Sequence, residues 1–539
     1  MNFYRIGMTD VSPSPRRLGW TLALLAFAQF IIAIDYNIVY VALPEIGREL
    51  SFSGQSLQWV VSAYAVTLGG FMLLGGRAAD LLGRRRVFII ALVLYAVSSL
   101  VGGLAGSPGT LIAVRAVQGL AAALLFPATL SLVSTTFAEG PERNRALAVW
   151  AAMGGGGLAA GALLGGVLTD VFGWESTFYI FVLLACVALL AAVWLLPADP
   201  ARAGAGPGRV RLGRDGAAVR ERRFDLPGAL TATAGITLLV FVLAQGPEWG
   251  WTSPSILAAF GLGVALLVVF AVIESRSRDP LVPLRMFANP SLVAAMAITA
   301  VFGAGLGAHY YLLTVYLQDI LGYDPLRAGL AYLPLTLLNI VGTKVAERLV
   351  TRAGMRVALT TGLLIGTAGM ILLALAVSPH SPFIAVLPGI MVAGLGMGIV
   401  WTSMWIAAGN GVAASEQGVA SGMASVTHQT GLAIGTALMV AIANAGIGGL
   451  DGDALRRELT QGLTMAYYLA AGVTFLGVLI AGRALGHRHL GRRHLGRRHL
   501  GRRHGSLDLE QGSRDQPADE AEVTRAGDAP CLGPPGRSV

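Results

Sequence analysis

The chain has 539 residues, of which 55% are apolar and only 13% charged, and its mean hydropathy is +0.66. A soluble protein of this length would carry about 25% charged residues over roughly two to four domains, so composition excludes an ordinary soluble enzyme. The net charge of +9 comes almost wholly from arginine, since Lys344 is the only lysine, and it points to membrane topology and anionic headgroups rather than nucleic acid.

Apolar runs of about 18 to 26 residues recur along the chain. Each is long enough, at about 1.5 Å per residue, to cross about 30 Å of hydrocarbon. The first six fall near 20–43, 57–76, 87–105, 110–133, 146–169 and 177–196. The first is too long for a signal-peptide core, and no small-residue cleavage site follows it. A linker rich in Arg, Gly and Pro occupies 197–227. Eight more runs follow, near 228–245, 254–273, 291–317, 327–349, 357–377, 384–408, 422–445 and 464–484. An all-α polytopic membrane protein with about 14 transmembrane helices is predicted.

Charge placement predicts the orientation. With a cytoplasmic N-terminus, the inside segments hold 23 Arg and Lys residues before the C-terminal tail, and the outside loops hold four: Arg48, Arg327, Arg456 and Arg457. Both termini are therefore expected in the cytoplasm. Residues 485–539 form a polar tail that opens on a tandem pentapeptide, beginning His489-Leu-Gly-Arg-Arg493. The tail is expected to be disordered, with the repeat touching the anionic leaflet. A histidine every five residues could also bind metal, but neither i,i+4 pairing nor a Cys partner supports a defined site. Cys186 and Cys531 cannot meet on this topology, so no disulfide is expected.

A phosphate-binding loop of the Walker type needs Gly-Lys followed by Ser or Thr. Lys344 stands between Thr343 and Val345, so no such loop exists and the chain has no ATPase domain of its own. No cofactor or metal is implied.

The loop after the second run reads Gly76-Arg-Ala-Ala-Asp80-Leu-Leu-Gly83-Arg84-Arg85-Arg86. A positive-inside anchor explains its arginines but not an acid and two glycines at this spacing. Gly83 permits a left-handed turn, and Asp80 among arginines predicts a charge network. This string resembles the signature loop of the major facilitator superfamily. The resemblance implies a cytoplasmic latch, carried by Gly76, Asp80, Gly83, Arg84 and Arg85, that locks two helical bundles in an outward-open state.

Further segments narrow the resemblance to the fourteen-span drug:proton antiporters of the QacA and EmrB type, and it covers roughly residues 20–484. Ile34-Asp35-Tyr-Asn-Ile-Val-Tyr-Val-Ala42-Leu43-Pro44 is similar to that family's first-span signature, with Asn37 where the family usually has Thr. Leu111-Ile-Ala-Val-Arg115-Ala-Val-Gln118-Gly119 resembles its fourth-span motif for proton transfer. Asp225-Leu-Pro-Gly228, Tyr316-Leu317-Gln318, Gly322-Tyr323, Leu333-Pro334 and Glu416-Gln-Gly418-Val-Ala420-Ser421-Gly422 match elsewhere. In the fifth run Gly157, Gly161, Gly165 and Gly166 form one flat helical face, either generic packing or, as the resemblance implies, the antiporter motif of exporters. The family has proline where this chain has Ala162. Aligning Gly354 with Gly83 puts Thr351 at the place of Asp80, as in a parallel internal repeat with one decayed latch.

The implied organisation is a cytoplasmic N-terminus (1–19), a six-helix bundle (20–196), the linker (197–227), two extra helices (228–273), a second six-helix bundle (274–484) and the tail (485–539). Polar groups within spans are functional candidates because burying them costs several kcal/mol, of order 2.5–3.5 for a charge. Asp35 and Arg115 are the expected proton-coupling pair, at matching depths in the outer halves of their spans. Gln118, His309, Tyr310, Asn339, Trp401, His428 and Gln429 are candidates for a cavity. Each is open to a blander reading, an interhelical hydrogen bond for the histidines and amides, packing or an interface belt for Tyr310, Tyr311, Trp401 and Trp405.

The resemblance implies a proton-driven secondary antiporter in a bacterial inner membrane, exporting hydrophobic, aromatic or cationic compounds such as antibiotics. Its partners would be a small-molecule substrate, protons and anionic lipid. The Arg-rich, nearly Lys-free composition suggests a high-GC bacterium, and self-resistance in a producer of an aromatic polyketide is one form this would take. A nutrient importer of the same superfamily is the main alternative. A membrane sensor or channel is the other, but neither a soluble output domain nor a uniform pore lining is visible.

Overall fold

The computed structural model describes residues 15–52, 54–197, 199, 211–212, 218–219, 225–277, 280, 282–446 and 452–484. The pentapeptide repeats, Cys531 and most of the linker lie outside the described residues. Among the described residues there are fourteen long helices, one for each predicted span. The first six are α1 (Pro15–Glu49), α2 (Trp59–Leu82), α3 (Arg84–Gly103), α4 (Pro108–Thr136), α5 (Pro141–Phe172) and α6 (Ser176–Leu195). The extra pair is α7 (Leu226–Trp249) and α8 (Pro254–Arg276). The last six are α9 (Pro290–Ile320), α10 (Leu333–Ala353), α11 (Met355–Ala376), α12 (Phe383–Gly409), α13 (Gln417–Ala443) and α14 (Gly452–Ala484). Thirteen are long and apolar enough to cross a membrane, and α7 carries a shorter apolar stretch, Pro227–Leu243.

Many helix starts follow one chemical rule: a short polar side chain accepts from the first turn, and proline stands at a position whose N–H needs no partner. Ser107 Oγ accepts from Thr110 N at 3.3 Å ahead of Pro108, Asp225 from Gly228 N at 3.0 Å, and Ser253 from Ile256 N at 3.4 Å ahead of Pro254. The tight turns after α2 and α10 are made at Gly83 (φ 104°) and Gly354 (φ 90°), the two positions the sequence alignment of halves equates. Both conformations are costly for any residue with a Cβ.

In the N-terminal bundle α1 packs on α5, α2 on α4, and α3 between α4 and α6. In the C-terminal bundle α11 packs on α12 and α14, α10 on α12, and α9 on α13. The bundles meet along α2 with α13 and α5 with α10, and α7 lies along α2 and touches α13. The outer faces carry Leu190, Trp194, Val171 and Leu375 exposed, as hydrocarbon-facing side chains should be.

Two features depart from expectation. The ninth span was expected as one helix, but α9 is interrupted by π turns at Gly303–Gly307 and Tyr316–Ile320. The glycines of the first turn let neighbours approach closely: a Cβ at Gly303 would lie 2.5 Å from the His428 carbonyl oxygen. The linker 197–227, for which the sequence predicts no element, contains a two-residue antiparallel ladder between Arg211–Leu212 and Ala218–Val219.

Candidate functional site

A cavity of about 540 Å³ lies between the bundles, a size typical of small-molecule sites. The N-terminal bundle lines it with Gln29, Tyr36, Asn37 and Tyr40 of α1, Met72 of α2, Phe126 of α4 and Gly154 and Gly155 of α5. The C-terminal bundle contributes Tyr310, Tyr311 and Gln318 of α9, Asn339 of α10, Trp401 and Trp405 of α12, and Ser425, His428 and Gln429 of α13. Met72, Trp405 and Ser425 at one end are buried, whereas Tyr40 and Gln318 at the other are exposed. The cavity therefore opens at one end only.

The closed end is sealed by the last turns of α2, which carry Gly76 and Asp80. Gly76 and Gly418 bring α2 and α13 into backbone contact, since a Cβ on Gly76 would sit 2.2 Å from the Gly418 carbonyl oxygen. One helical turn on, the Asp80 carboxylate accepts from the amides of Gly418 at 3.1 Å and Val419 at 2.9 Å. These are unsatisfied first-turn amides at the positive end of α13, where a carboxylate stabilises by about 0.3–2 kcal/mol. Arg84 completes the contact. It pairs with Asp80 at 3.1 Å and donates to Ser131 Oγ at 2.6 Å and to the Ala414 carbonyl across the seam. Arg85 instead turns back into its own bundle, donating to the Val193 carbonyl at 2.9 Å, and its backbone amide donates to Asp199 at 3.2 Å. At the pseudo-equivalent place in the other half, Thr351 of α10 accepts from Asn144 Nδ2 of α5 at 3.2 Å, a neutral tie in place of a charged one.

Asp35 and Arg115 do meet. Arg115 Nη1 donates to Asp35 Oδ1 at 2.7 Å, with both side chains almost fully buried. Tyr95 Oη donates to Asp35 Oδ2 at 2.6 Å. Arg115 also donates to the Val60 carbonyl at 2.9 Å and to Gln118 Oε1 at 3.0 Å, and its guanidinium lies 4.3 Å from the centre of the Tyr64 ring. Gln118 in turn donates to Ser99 Oγ at 2.9 Å. The cluster satisfies both ions, as a buried pair requires.

This geometry sets three groups apart from the cavity. The pair does not line the cavity; it lies behind α1, within the N-terminal bundle, while the adjacent Tyr36 faces the cavity. Gln118 is a bundle-internal ligand of Arg115 rather than a cavity residue. His309 also stays out of the cavity, fully buried against Tyr467 of α14 at 5.8 Å between ring centres. Tyr310, Asn339, Trp401, His428 and Gln429 do line it.

The glycines of α5 form the seam with α1. A Cβ on Gly157, Gly161 or Gly165 would come within 2.6–2.7 Å of Ala33 Cβ or the carbonyl oxygens of Ile34 and Ile38. Gly166 is half-buried beside that ridge. Asn37, in the place of the usual threonine, ties the same seam by donating to the Leu158 carbonyl at 2.9 Å.

Sequence reasoning missed Tyr95, Tyr64, Gln29 and the amides of Gly418 and Val419. A tyrosine or glutamine inside an apolar run was the only available signal, and backbone amides leave none.

The model of the Major Facilitator Superfamily matches residues 25–436. The chain belongs to the major facilitator superfamily. Members of this superfamily are transporters rather than enzymes. Among its relatives, this superfamily member is 37% identical over 479 residues to the puromycin resistance protein pur8 of Streptomyces alboniger, covering 87% of this chain and 91% of that one. It is 36% identical over 432 residues to the cephamycin export protein CmcT of Amycolatopsis lactamdurans, covering 79% and 85%. The crystal structure of the human organic anion transporter MFSD10 superposes with a TM-score of 0.62 at 15% identity, covering 87% of this chain and all of that one, a likeness of fold alone.

Proposed function

We propose that the chain is a proton-driven antiporter of a bacterial inner membrane, with both termini cytoplasmic, that exports hydrophobic small molecules and so confers antibiotic resistance. The observation that carries this reading is the cavity between the bundles, closed at the Asp80 contact, in a chain similar over most of its length to proteins named for puromycin resistance and cephamycin export. With the Asp80 end in the cytoplasm, as the arginine bias supports, the cavity faces outward.

Asp35 is the proposed proton site. The guanidinium of Arg115 has donors only, so a proton taken up by the pair goes to the carboxylate. Protonation removes its charge and weakens its hold on Arg115 and Tyr95, which come from α4 and α3. Of the helices that carry this cluster, α1 supplies most of the cavity wall, where Tyr36, Asn37 and Tyr40 face the cavity. A shift of α1 on substrate binding therefore alters the Asp35 surroundings, and protonation of Asp35 alters the cavity wall. That reciprocity is the content of coupling. Opening the cytoplasmic end then requires Asp80 and Arg84 to release α13.

Expression in an exporter-deficient bacterium tests the reading. Resistance to puromycin should rise and collapse with an uncoupler, and inverted vesicles should accumulate puromycin when their interior is acidified. Uptake in the opposite direction would make the chain an importer.

A further inference from the structure

The cavity carries no formal charge. Among the described residues that line it there is no Asp, Glu, Lys or Arg, and Asp35 and Arg115 neutralise each other behind α1. The imidazole in the lining, that of His428, is packed among the rings of Phe302, Trp401 and Trp405 at 5.9, 5.3 and 6.3 Å. A permanent cation entering here would lose its water and find no carboxylate, and an anion would find no guanidinium. A neutral molecule avoids both costs.

What the cavity offers is unused hydrogen-bonding capacity. Gln29 Oε1, Asn339 Oδ1, Trp401 Nε1 and Trp405 Nε1 are buried without partners, and all four side chains line the cavity. Gln29 and Asn339 are only 3% and 5% exposed. Buried polar atoms are seldom left so.

Three of these groups converge on two glycines of α5. A Cβ on Gly154 would lie 3.0 Å from the Gln29 amide nitrogen and 3.7 Å from Trp401 Nε1. A Cβ on Gly155 would lie 2.6 Å from Asn339 Oδ1. The glycines thus keep open a notch with α1 and α5 on one side and α10 and α12 on the other. Beside it, Phe126, Trp401 and Trp405 meet edge to face at 5.3–5.4 Å, a wall that suits a flat ring.

We propose that this notch is the specificity-determining subsite of the cavity, and that it takes uncharged planar aromatic compounds whose edge carries a carbonyl beside a hydroxyl or amide N–H. Such an edge accepts from the indole of Trp401 and donates to the amide oxygens of Gln29 and Asn339. The proposal rests on the export reading and narrows it: cationic compounds are excluded from the substrates.

The test uses the full chain in lipid nanodiscs and tritiated 1,8-dihydroxyanthraquinone as the neutral probe, with ethidium as a permanent cation of similar size. The anthraquinone should bind saturably, and ethidium at equal concentration should not displace it. Trp401→Phe, which keeps a ring and removes the donor, and Asn339→Leu should each weaken binding about tenfold or more, as the loss of one buried hydrogen bond predicts. Both variants are checked for unchanged thermal unfolding. Where Asn339→Leu fails that check, Trp401→Phe alone decides. Absence of anthraquinone binding, displacement by ethidium, or unchanged affinity in a folded Trp401→Phe variant overturns the proposal. Anthraquinone binding that is lost in the variants, in a chain that moves nothing out of cells, would sustain the subsite and reject export. Export of puromycin with affinity for the anthraquinone unaffected by either variant would do the reverse.

Discussion

Tyr95 donates its hydroxyl to Asp35 at 2.6 Å, on the carboxylate oxygen that Arg115, 2.7 Å from the other, leaves free. Acid, tyrosine and arginine come from α1, α3 and α4, so one protonatable group ties three helices. A second hydroxyl, that of Tyr64 on α2, lies 3.4 Å from Tyr95 Oη and brings in a fourth. Arg115 is thereby held on several sides without lining the cavity, and α1 supplies most of the wall that the proposed proton site and the substrate site share.

Asp35→Asn keeps the size of the side chain and removes its titration. Uphill efflux driven by a proton gradient should fall to the level of empty vesicles, while exchange of substrate down its own gradient survives. The uncompensated Arg115 should cost about 3–5 kcal/mol of stability, part of which the Asp35→Asn, Arg115→Gln double variant recovers. Proton-driven accumulation by a folded Asp35→Asn chain would move the coupling acid elsewhere.

Tyr95→Phe removes one donor from a fully buried carboxylate. It should lower stability by about 1–3 kcal/mol, read as a drop in thermal unfolding temperature in detergent. Transport should slow without losing its proton dependence, because Arg115 still orders Asp35. A variant with unchanged stability and rate would show that the hydroxyl contributes nothing there.

The contact of Asp80 with α13 should set how often the closed end opens. Spin labels at the exposed positions Leu82 and Ser415, in a chain without Cys186 and Cys531, report that distance. Asp80→Asn weakens the hold on the Gly418 and Val419 amides by about 1–2 kcal/mol, which shifts the populations toward longer distances by about five- to thirtyfold. Gly418→Ala should act more strongly, since its Cβ would meet the Gly76 carbonyl oxygen at 2.3 Å. A distance distribution identical to that of the parent chain in both variants would remove the lock from the mechanism.

The α1–α5 seam makes a graded prediction along one helix. Gly161→Leu forces a side chain toward the Ile34 carbonyl oxygen, 2.6 Å from the Cβ position, and should abolish transport. Gly156→Ala, on the same helix with nothing within 4 Å of its Cβ, should leave drug resistance at the parental level. Equal behaviour of the two variants would mean the glycines are not there for close approach.

The ratio of 23 to four basic residues predicts cytoplasmic termini. Reporter fusions after residues 210 and 505 should both read as cytoplasmic, and a periplasmic signal at either would reverse the cavity's direction of opening.

The positions of the spans were legible because hydrocarbon thickness sets a length that apolar runs either meet or miss. The turn glycines Gly83 and Gly354 were legible from their place between a charged loop and a span. The chemical partners of Asp80 were not: Gly418 and Val419 contribute only backbone, and a main-chain amide has no sequence signature. The π turns of α9 were not legible either, since Gly-Ala-Gly-Leu-Gly in an apolar run reads equally as close packing.

Composition and motif thus determined that this chain spans a membrane about fourteen times, where its charged loop lies, and that Asp35 and Arg115 are the charges within the spans that need an explanation. Only the tertiary structure decided which way each side chain faces. Asp35 points into the bundle and Tyr36 into the cavity, His309 toward α14 and Tyr310 into the cavity. Adjacent residues on a helix point about 100° apart, and a span that is apolar all round has no polar stripe to say which face is buried in protein. In water, amphipathic periodicity would have marked the inner face. In hydrocarbon both faces are apolar, so the facing of these residues is settled by packing between helices far apart in sequence.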